Sequence, residues 1–355
     1  MDRERLRRIA AGMAQGGFSQ MLVTATPAVY YLTGLWVEPH ERFLGLYLTS
    51  GGEAVLFANE IFGLSPTAEL PVVVHKDGED PVRDLAARVR PGALGVDKFC
   101  YSKFLIPLLE ARPDVRPALG SGPVDLARQC KDPAEREAMR RASRANDAVM
   151  AAVLRELRPG VTEAELAARV NALYRAHGAD GEGQQLVCFG PNGADPHHAP
   201  DGTALRPGDS VIFDIFTPIG RYWCDMTRTV FFREVSEKQR EVYALVLEAN
   251  QAAEAMAGPG VPLRELDRAA REAIARGGYG ACFTHRLGHG CGLECHEPPD
   301  VSGSSPAVAE PGMVFSIEPG IYLPGEFGVR IEDLVLITEN GCEILNHHPK
   351  ELTVI

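Results

Sequence analysis

Apolar positions recur at helical spacing in two well-separated stretches of the chain. Met139, Ala142, Val149, Val153 and Leu157 form the first stripe, between Lys131-Asp132-Pro133-Ala134-Glu135 and Pro159-Gly160. Asp132 can cap, Pro133 suits the first helical position and Glu135 completes a capping box, so a helix is predicted to begin there and to stop at Pro159-Gly160. A second helix is predicted from Thr162, with Glu165 completing its box, to near Gly178. The order then returns. Ser236-Glu237-Lys238-Gln239 opens a helix striped by Val242, Leu245, Val246 and Ala249, Pro259-Gly260 stops it, and a helix starting at Pro262 ends at Gly277-Gly278. Each helix pair is followed by a His-bearing segment (His197, then His289 and His296). Next comes a Gly-led strand with an acid (Asp214, then Glu318), then a turn and a second acid (Asp225, then Glu332). The elements repeat although the residues do not, which predicts a pseudo-twofold domain with the acids of both halves meeting at its centre.

Residues 1–120 alternate between helical signals (Arg5–Met13, Pro81–Val89, Lys103–Ala111) and strand signals (Met21–Val23, Phe43–Leu48, Ala54–Phe57), the pattern of an α/β domain without a glycine-rich phosphate loop. Thr26–Gly34 reads as a capped helical turn. A linker is predicted at Gly120-Ser121-Gly122-Pro123, giving domains 1–122 and 123–355.

Composition narrows the partners. The 355 residues are 45% hydrophobic, enough for two cores, and carry a formal net charge of −12 without a block of basic residues. Nucleic acid and anionic membranes are therefore not expected as partners. The charged N-terminus lacks an apolar core of the signal-peptide kind, and the expected location is cytoplasmic. Eight scattered cysteines are expected as reduced, mostly buried thiols. Cys291 and Cys295 have no second pair at zinc-finger spacing, and Gly288-x-Gly290-x-Gly292 lacks the third glycine of a dinucleotide loop.

The acids carry the chemistry. Val314–Ile317 and Gly328–Ile337 are β-favouring runs, and a hairpin centred near Gly325 sets Glu318 and Glu332 on one face, opposite each other. Opposed like charges are destabilising, so such a pair calls for a cation between them. Val211–Phe216 is an apolar strand interrupted only by Asp214. A turn centred on Pro218-Ile219 would pair Asp214 with Trp223 and make Asp225 a diagonal neighbour; the structural alternative for these aspartates is a buried Asp paired with Arg228. Four convergent carboxylates and an imidazole balance two divalent cations, and oxygen-rich ligation favours Mn²⁺, with Co²⁺ or Zn²⁺ as alternatives. Two such ions would bridge a hydroxide and polarise a carbonyl, which points to amide hydrolysis. Gly288 and Gly290 would let the backbone at His289 approach an ion, although His285 and His296 compete by spacing.

Taken in order, Phe213-Asp214, Asp225-Met226-Thr227-Arg228-Thr229, Gly288-His289-Gly290 through His296-Glu297, Gly312 through Gly320, and Val329-Arg330-Ile331-Glu332-Asp333 resemble the pita-bread metallopeptidases, in their proline-directed branch of prolidase and aminopeptidase P. Tyr30-Tyr31-Leu32-Thr33-Gly34 resembles the creatinase-type N-terminal domain of that family. The resemblance implies an α/β N-terminal creatinase-like domain plus an α+β pita-bread C-terminal domain. It implies Asp214, Asp225, His289, Glu318 and Glu332 as metal ligands, with Asp225 and Glu332 bridging, and Glu318 as proton shuttle. His296 is implied as the group stabilising the tetrahedral intermediate. His197 (with His198 in the alternative register), His285 and Arg330 are implied as substrate-binding residues.

Two departures from the family pattern stand out. Ile215-Phe216 follow Asp214 where a small residue is usual, and residues 290–317 contain no Lys or Arg to hold the free carboxylate of a dipeptide. Arg42 is the candidate substitute, across a dimer interface as the family's packing permits; its alternative is a surface pair with Glu38 or Glu41. The expectation is a homodimeric Xaa-Pro dipeptidase acting on proline-containing dipeptides or short peptides through a metal-bridging hydroxide. The alternatives are an aminopeptidase P acting on longer peptides, a metal-free creatine-hydrolysing relative, and a non-catalytic binding scaffold.

Overall fold

The structure is a computed structural model and describes residues 2–355. The chain folds as two units, the first ending at Arg128 and the second spanning Gln129–Ile355.

The first unit opens with α1 (Arg3–Gln15), whose first turn is capped by the Asp2 carboxylate accepting from the amides of Glu4 and Arg5. β1 (Gln20–Val23), α2 (Thr26–Thr33), β2 (Leu44–Thr49) and β3 (Ala54–Asn59) follow where apolar runs predict them, and Gly34 closes α2 in the left-handed region. The helical signals at Pro81–Val89 and Lys103–Ala111 become α3 (Arg83–Arg88) and α4 (Ser102–Ala111). Three strands have no clear pattern in the sequence: β4 (Val72–His75), β5 (Gly92–Val96) and β6 (Val115–Leu119). β5 is weakened by two glycines. β6 carries Pro117, which an edge strand tolerates because one row of its amides is unpaired. Together they complete a mixed sheet of order β4-β3-β2-β1-β5-β6. α5 (Gly122–Gln129) begins within the stretch read as linker.

In the second unit both helix pairs form as the pattern predicts. α6 (Pro133–Val153) and α7 (Glu163–Ala176) carry capping boxes at Asp132/Glu135 and Thr162/Glu165, and α8 (Glu237–Met256) carries one at Ser236/Gln239. α9 (Leu263–Arg276) completes the second pair. The first pair packs over β7 (Leu186–Phe189), β8 (Ser210–Ile219) and β9 (Tyr222–Phe231), with Val149, Val170, Phe189 and Phe213 in its core. The second pair packs over a five-stranded sheet with Val246, Leu266, Phe315 and Val335 inside. Its order is β11-β10-β12-β15-β16, formed by β10 (Gly288–Gly290), β11 (Glu297–Val301), β12 (Val314–Ile317), β15 (Asp333–Ile337) and β16 (Cys342–Ile344). Between β12 and β15 stands the short hairpin of β13 (Gly320–Leu323) and β14 (Phe327–Arg330).

The register about Gly325 holds through both pairings: Gly320 faces Arg330 in the distal hairpin and Ile317 faces Asp333 in the sheet. Glu318 and Glu332 lie at the break. Pro319 has no amide to continue the ladder, and the Glu318 and Glu332 amides instead donate to Leu287 and Thr227 carbonyls. The β8–β9 register departs from expectation. Pro218 and Ile219 continue the strand and the turn is Gly220-Arg221, both with positive φ as a two-residue hairpin loop demands. Asp214 therefore pairs with Thr227 rather than Trp223, and Asp225 with Phe216. The displacement preserves parity, so the two aspartates still share a face.

All eight cysteines are free, but only Cys188, Cys224 and Cys291 are fully buried. Among the described residues no helix is long and apolar enough to cross a membrane.

Candidate metal centre

Strand parity aims the acids. Glu332 and Asp333 are neighbours on opposite faces: Asp333 turns to Arg228 at 2.7 Å and to Lys350 at 2.9 Å, while Glu332 faces a cavity of about 1120 Å³. Asp214, Asp225, His289 and Glu318 line the same cavity, and every lining residue belongs to the second unit. Asp225, His289 and Glu332 place ligand atoms within 4.8 Å of one another. His289 Nε2 lies 3.3 Å from Glu318 Oε1 and 3.8 Å from Asp225 Oδ2.

The glycines beside His289 serve packing. A Cβ on Gly288 would run into the Ser316 carbonyl, and one on Gly290 into the carbonyls of Glu297 and Pro298. The close approach they permit is of neighbouring strands, which seats the imidazole.

Several polar groups orient the acids. Thr227 Oγ1 donates to Glu332 Oε2 at 2.8 Å, Ser316 Oγ to Glu318 Oε1 at 3.1 Å, and the Cys295 thiol to Asp225 Oδ2 at 3.4 Å. Arg330 spends all three guanidinium nitrogens, donating to Asp214 Oδ2 at 2.7 Å, the Tyr322 hydroxyl at 2.9 Å and Thr227 Oγ1 at 3.1 Å. The partner of Asp214 is thus Arg330, and Arg228 belongs to Asp333.

A cation fits what remains. Among the described residues, Asp214 Oδ1, Asp225 Oδ1 and Glu332 Oε1 are buried oxygens without a hydrogen-bond partner. Burial pushes the Asp225 and Glu332 carboxyls well above their ordinary range, and their acidic neighbours add to it. Burial also raises Glu318 to about 7 against the pull of Arg330. Burial, with His296 beside it, lowers His289 to about 3, so its imidazole is neutral. His289 Nδ1 faces the Gly290 carbonyl at 3.2 Å and takes the proton there, which leaves the Nε2 lone pair aimed at two carboxylates. Lone pairs facing each other in a low-dielectric pocket, beside three orphaned oxygens, are the electrostatic complement of divalent cations.

The remaining sequence candidates divide. His296 lies beside His289 with ring centroids 3.9 Å apart and the rings tilted by 49°. His197 lines the cavity, whereas the neighbouring His198 turns to the buried Glu163 at 2.9 Å. His285 Nε2 meets the Tyr322 hydroxyl at 2.8 Å, and burial lowers its pKa to about 4. Arg42 lies in the first unit, where Asp77 engages Nε and one terminal nitrogen at 3.0 and 2.9 Å and Glu41 the other at 2.7 Å. Cys291 donates to the Trp223 carbonyl and Cys295 to Asp225, so the two thiols serve different neighbours. Tyr322, Ser316 and Arg286 were given no role by sequence reasoning, and Cys295 was weighed only as half of a thiol pair for zinc. Tyr322 shares the parity of Glu318 and Arg330 in the hairpin, a signal available in the sequence.

A pseudo-symmetric domain that gathers four carboxylates and a neutral imidazole around orphaned oxygens defines an enzyme built on divalent metal ions. The model of metallopeptidase family M24 matches residues 137–339, and the creatinase/prolidase N-terminal domain matches residues 5–99. The chain belongs to family M24, with a creatinase-type N-terminal domain and a pita-bread catalytic domain. It is 38% identical over 360 residues to a probable dipeptidase PepE of Mycobacterium tuberculosis, covering 99% of this chain and 96% of that one. Among solved structures it resembles a prolidase from Thermococcus sibiricus (33% identical, 100% of both chains, TM-score 0.94). It also resembles an X-Pro aminopeptidase from Thermotoga maritima (28% identical, 97% of this chain and 100% of that one, TM-score 0.83).

Proposed function

We propose that this metallopeptidase hydrolyses the Xaa-Pro bond of dipeptides. The observation that carries the reading is the convergence of Asp214, Asp225, His289, Glu318 and Glu332 on one cavity with three of their oxygens unpartnered. The domains proposed from the sequence are 1–122 and 123–355. In the proposal Asp214, Asp225, His289, Glu318 and Glu332 would hold the ions, Asp225 and Glu332 being shared between the two. When bound, the ions supply Lewis acidity towards the scissile carbonyl and lower the pKa of water. Mn²⁺ is the proposed metal, since the donor set is mostly oxygen.

The protein's own groups do the rest. Glu318 takes the proton of the attacking water and passes it to the leaving proline nitrogen. His296, exposed to the cavity beside His289, donates to the carbonyl oxygen as negative charge develops there. His197 and His285 line the substrate's path, and Arg330 holds Asp214 in place. The enzyme is proposed to work in the cytoplasm as a homodimer, which sedimentation of the purified protein would check.

The test is initial rates on Ala-Pro and Ala-Pro-Ala with metal-stripped protein reloaded with Mn²⁺, Co²⁺ or Zn²⁺. Metal-dependent cleavage favouring Ala-Pro is expected, and Glu318→Gln should lower kcat by about 10²-fold or more. Preference for Ala-Pro-Ala would make the enzyme an aminopeptidase P, the second reading, which the absence of Lys and Arg from residues 290–317 favours. No metal-dependent cleavage of either peptide would overturn both.

A further inference from the structure

Pro196, His197, Ala199 and Pro200 line the cavity together, and all four lie in the irregular stretch between the turn at Gly190–Ala194 and β8. Irregular backbone lacks the hydrogen-bond ladder that fixes a helix or strand, so its position is set by whatever else engages it. Here that group is Glu163. Its side chain is fully buried in the first turn of α7. Oε1 accepts from the Phe189 amide at 2.7 Å and the Asn192 side-chain amide at 3.0 Å. Oε2 accepts from His198 Nε2 at 2.9 Å and the Asp201 amide at 3.2 Å. Two donors on each oxygen fill the lone-pair directions of a carboxylate.

The α7 backbone adds two further ties, from the Glu163 amide to the Thr203 carbonyl at 3.2 Å and from the Ala164 amide to the Asp201 carbonyl at 3.0 Å. Glu163, His198 and Asp201 stand as close together as the ligands of an ion. With both Glu163 oxygens doubly engaged, the cluster holds chain instead. The consequence reaches the cavity through two adjacent histidines. Glu163 draws the His198 ring to itself, while Asp195 accepts the His197 amide on Oδ1 at 2.9 Å and the His198 amide on its carbonyl at 3.2 Å. His197 is left facing the cavity.

We propose that Glu163 is a positioning residue for peptide hydrolysis: by holding His198 and the backbone on both sides of it, it presents His197 to the substrate and fixes which of the two histidines does so. The inference rests on the substrate contact proposed for His197, and it is independent of substrate length. Only an acceptor on both oxygens satisfies this loop. A glutamine at 163 turns an N–H either against the Phe189 and Asn192 donors or against the Asp201 amide, and one corner of the loop comes loose.

The experiment is a double-mutant cycle on the Mn²⁺-loaded full chain, read on whichever of Ala-Pro and Ala-Pro-Ala the wild type cleaves faster. His197→Ala and Glu163→Gln are each expected to lower kcat/KM at least ~10-fold. In the His197→Ala background Glu163→Gln should lower it no more than a further ~2-fold, because the group it positions is gone. The rise in melting temperature on adding Mn²⁺ should match wild type in every variant, since Asp214, Asp225, His289, Glu318 and Glu332 all lie outside the loop. His198→Ala removes a single anchor, and its smaller loss should likewise vanish without His197; it carries the test where Glu163→Gln does not fold. Losses that multiply in the double variant, no loss for Glu163→Gln, or a weaker metal-induced rise in that variant would overturn the inference while the peptidase stands. No loss for His197→Ala would remove the substrate contact and this inference with it. A wild type that cleaves neither peptide overturns the Xaa-Pro reading and the inference together.

Discussion

Asp225 shows what one side chain in the centre does to the protein without metal. Its carboxyl is buried, one oxygen takes only the weak Cys295 donor, the other takes none, and Asp214 and Glu318 crowd it. Asp225→Asn removes that repulsion while keeping the shape. The metal-free variant should be at least as stable as the metal-free wild type. Wild type should gain ~2.7 kcal/mol when Mn²⁺ is present at about 100 times its dissociation constant, and Asp225→Asn should gain far less. Thermal melts with and without metal read both quantities; an equal metal-induced gain in the two proteins would remove Asp225 from the ligand set. The acids that converge on the cavity were legible because each interrupts an apolar strand or stands at a parity position. Ser316 was not, since a hydroxyl in a strand has no sequence mark that separates a structural hydrogen bond from an orienting one.

Helices read well from the chain because their signals are local. The three capping boxes, Asp132/Glu135, Thr162/Glu165 and Ser236/Gln239, need only residues one turn apart. Strand pairing depends on the turn, and here a single glycine decided it: the Pro218-Ile219 turn would cost Ile219 its strand position, whereas Gly220-Arg221 adopts the positive φ that a tight hairpin needs. The strands around His289 give the sharpest prediction of this kind. Gly288→Ala would press a methyl group into the Ser316 carbonyl and force β10 from β12. The expected cost is about 1–3 kcal/mol of stability, with weaker metal binding because His289 and Ser316 move together. Denaturant melts and metal titration measure the two effects, and a variant that matches wild type in both would show that the strands can separate without disturbing the centre.

Across the second unit a charge cluster ties helix α8 to β9, β15 and the C-terminal segment. Lys350 donates to both Glu254 oxygens at 2.6 Å and to Asp333 Oδ2 at 2.9 Å, and Arg228 closes on Asp333 from the other side. Burial, then Asp333, pushes the Glu254 carboxyl up to about 7 in spite of Lys350. A carboxyl raised in the folded state binds its proton more tightly there than in the unfolded chain. Its contribution to stability is therefore full below about pH 4.5 and is lost as pH rises through about 7. Glu254→Gln should flatten this part of the pH–stability curve, by an amount on the order of 3 kcal/mol between the two limits, and denaturant melts from pH 5 to 8 would show it. Parallel curves for the two proteins would mean that Lys350 keeps Glu254 ionised throughout. By itself the sequence determined the helix pairs, the repeated order of elements and the acids that meet, because capping, apolar stripes and parity act over a few residues. Only the tertiary structure decided that Arg330 rather than Arg228 holds Asp214 and that His197 rather than His198 faces the cavity. It also decided that Arg42 engages all three of its nitrogens with Asp77 and Glu41, whereas Arg286 engages one among the described residues. Each of these is a choice between residues of like chemistry, settled by contacts that form only when the chain folds.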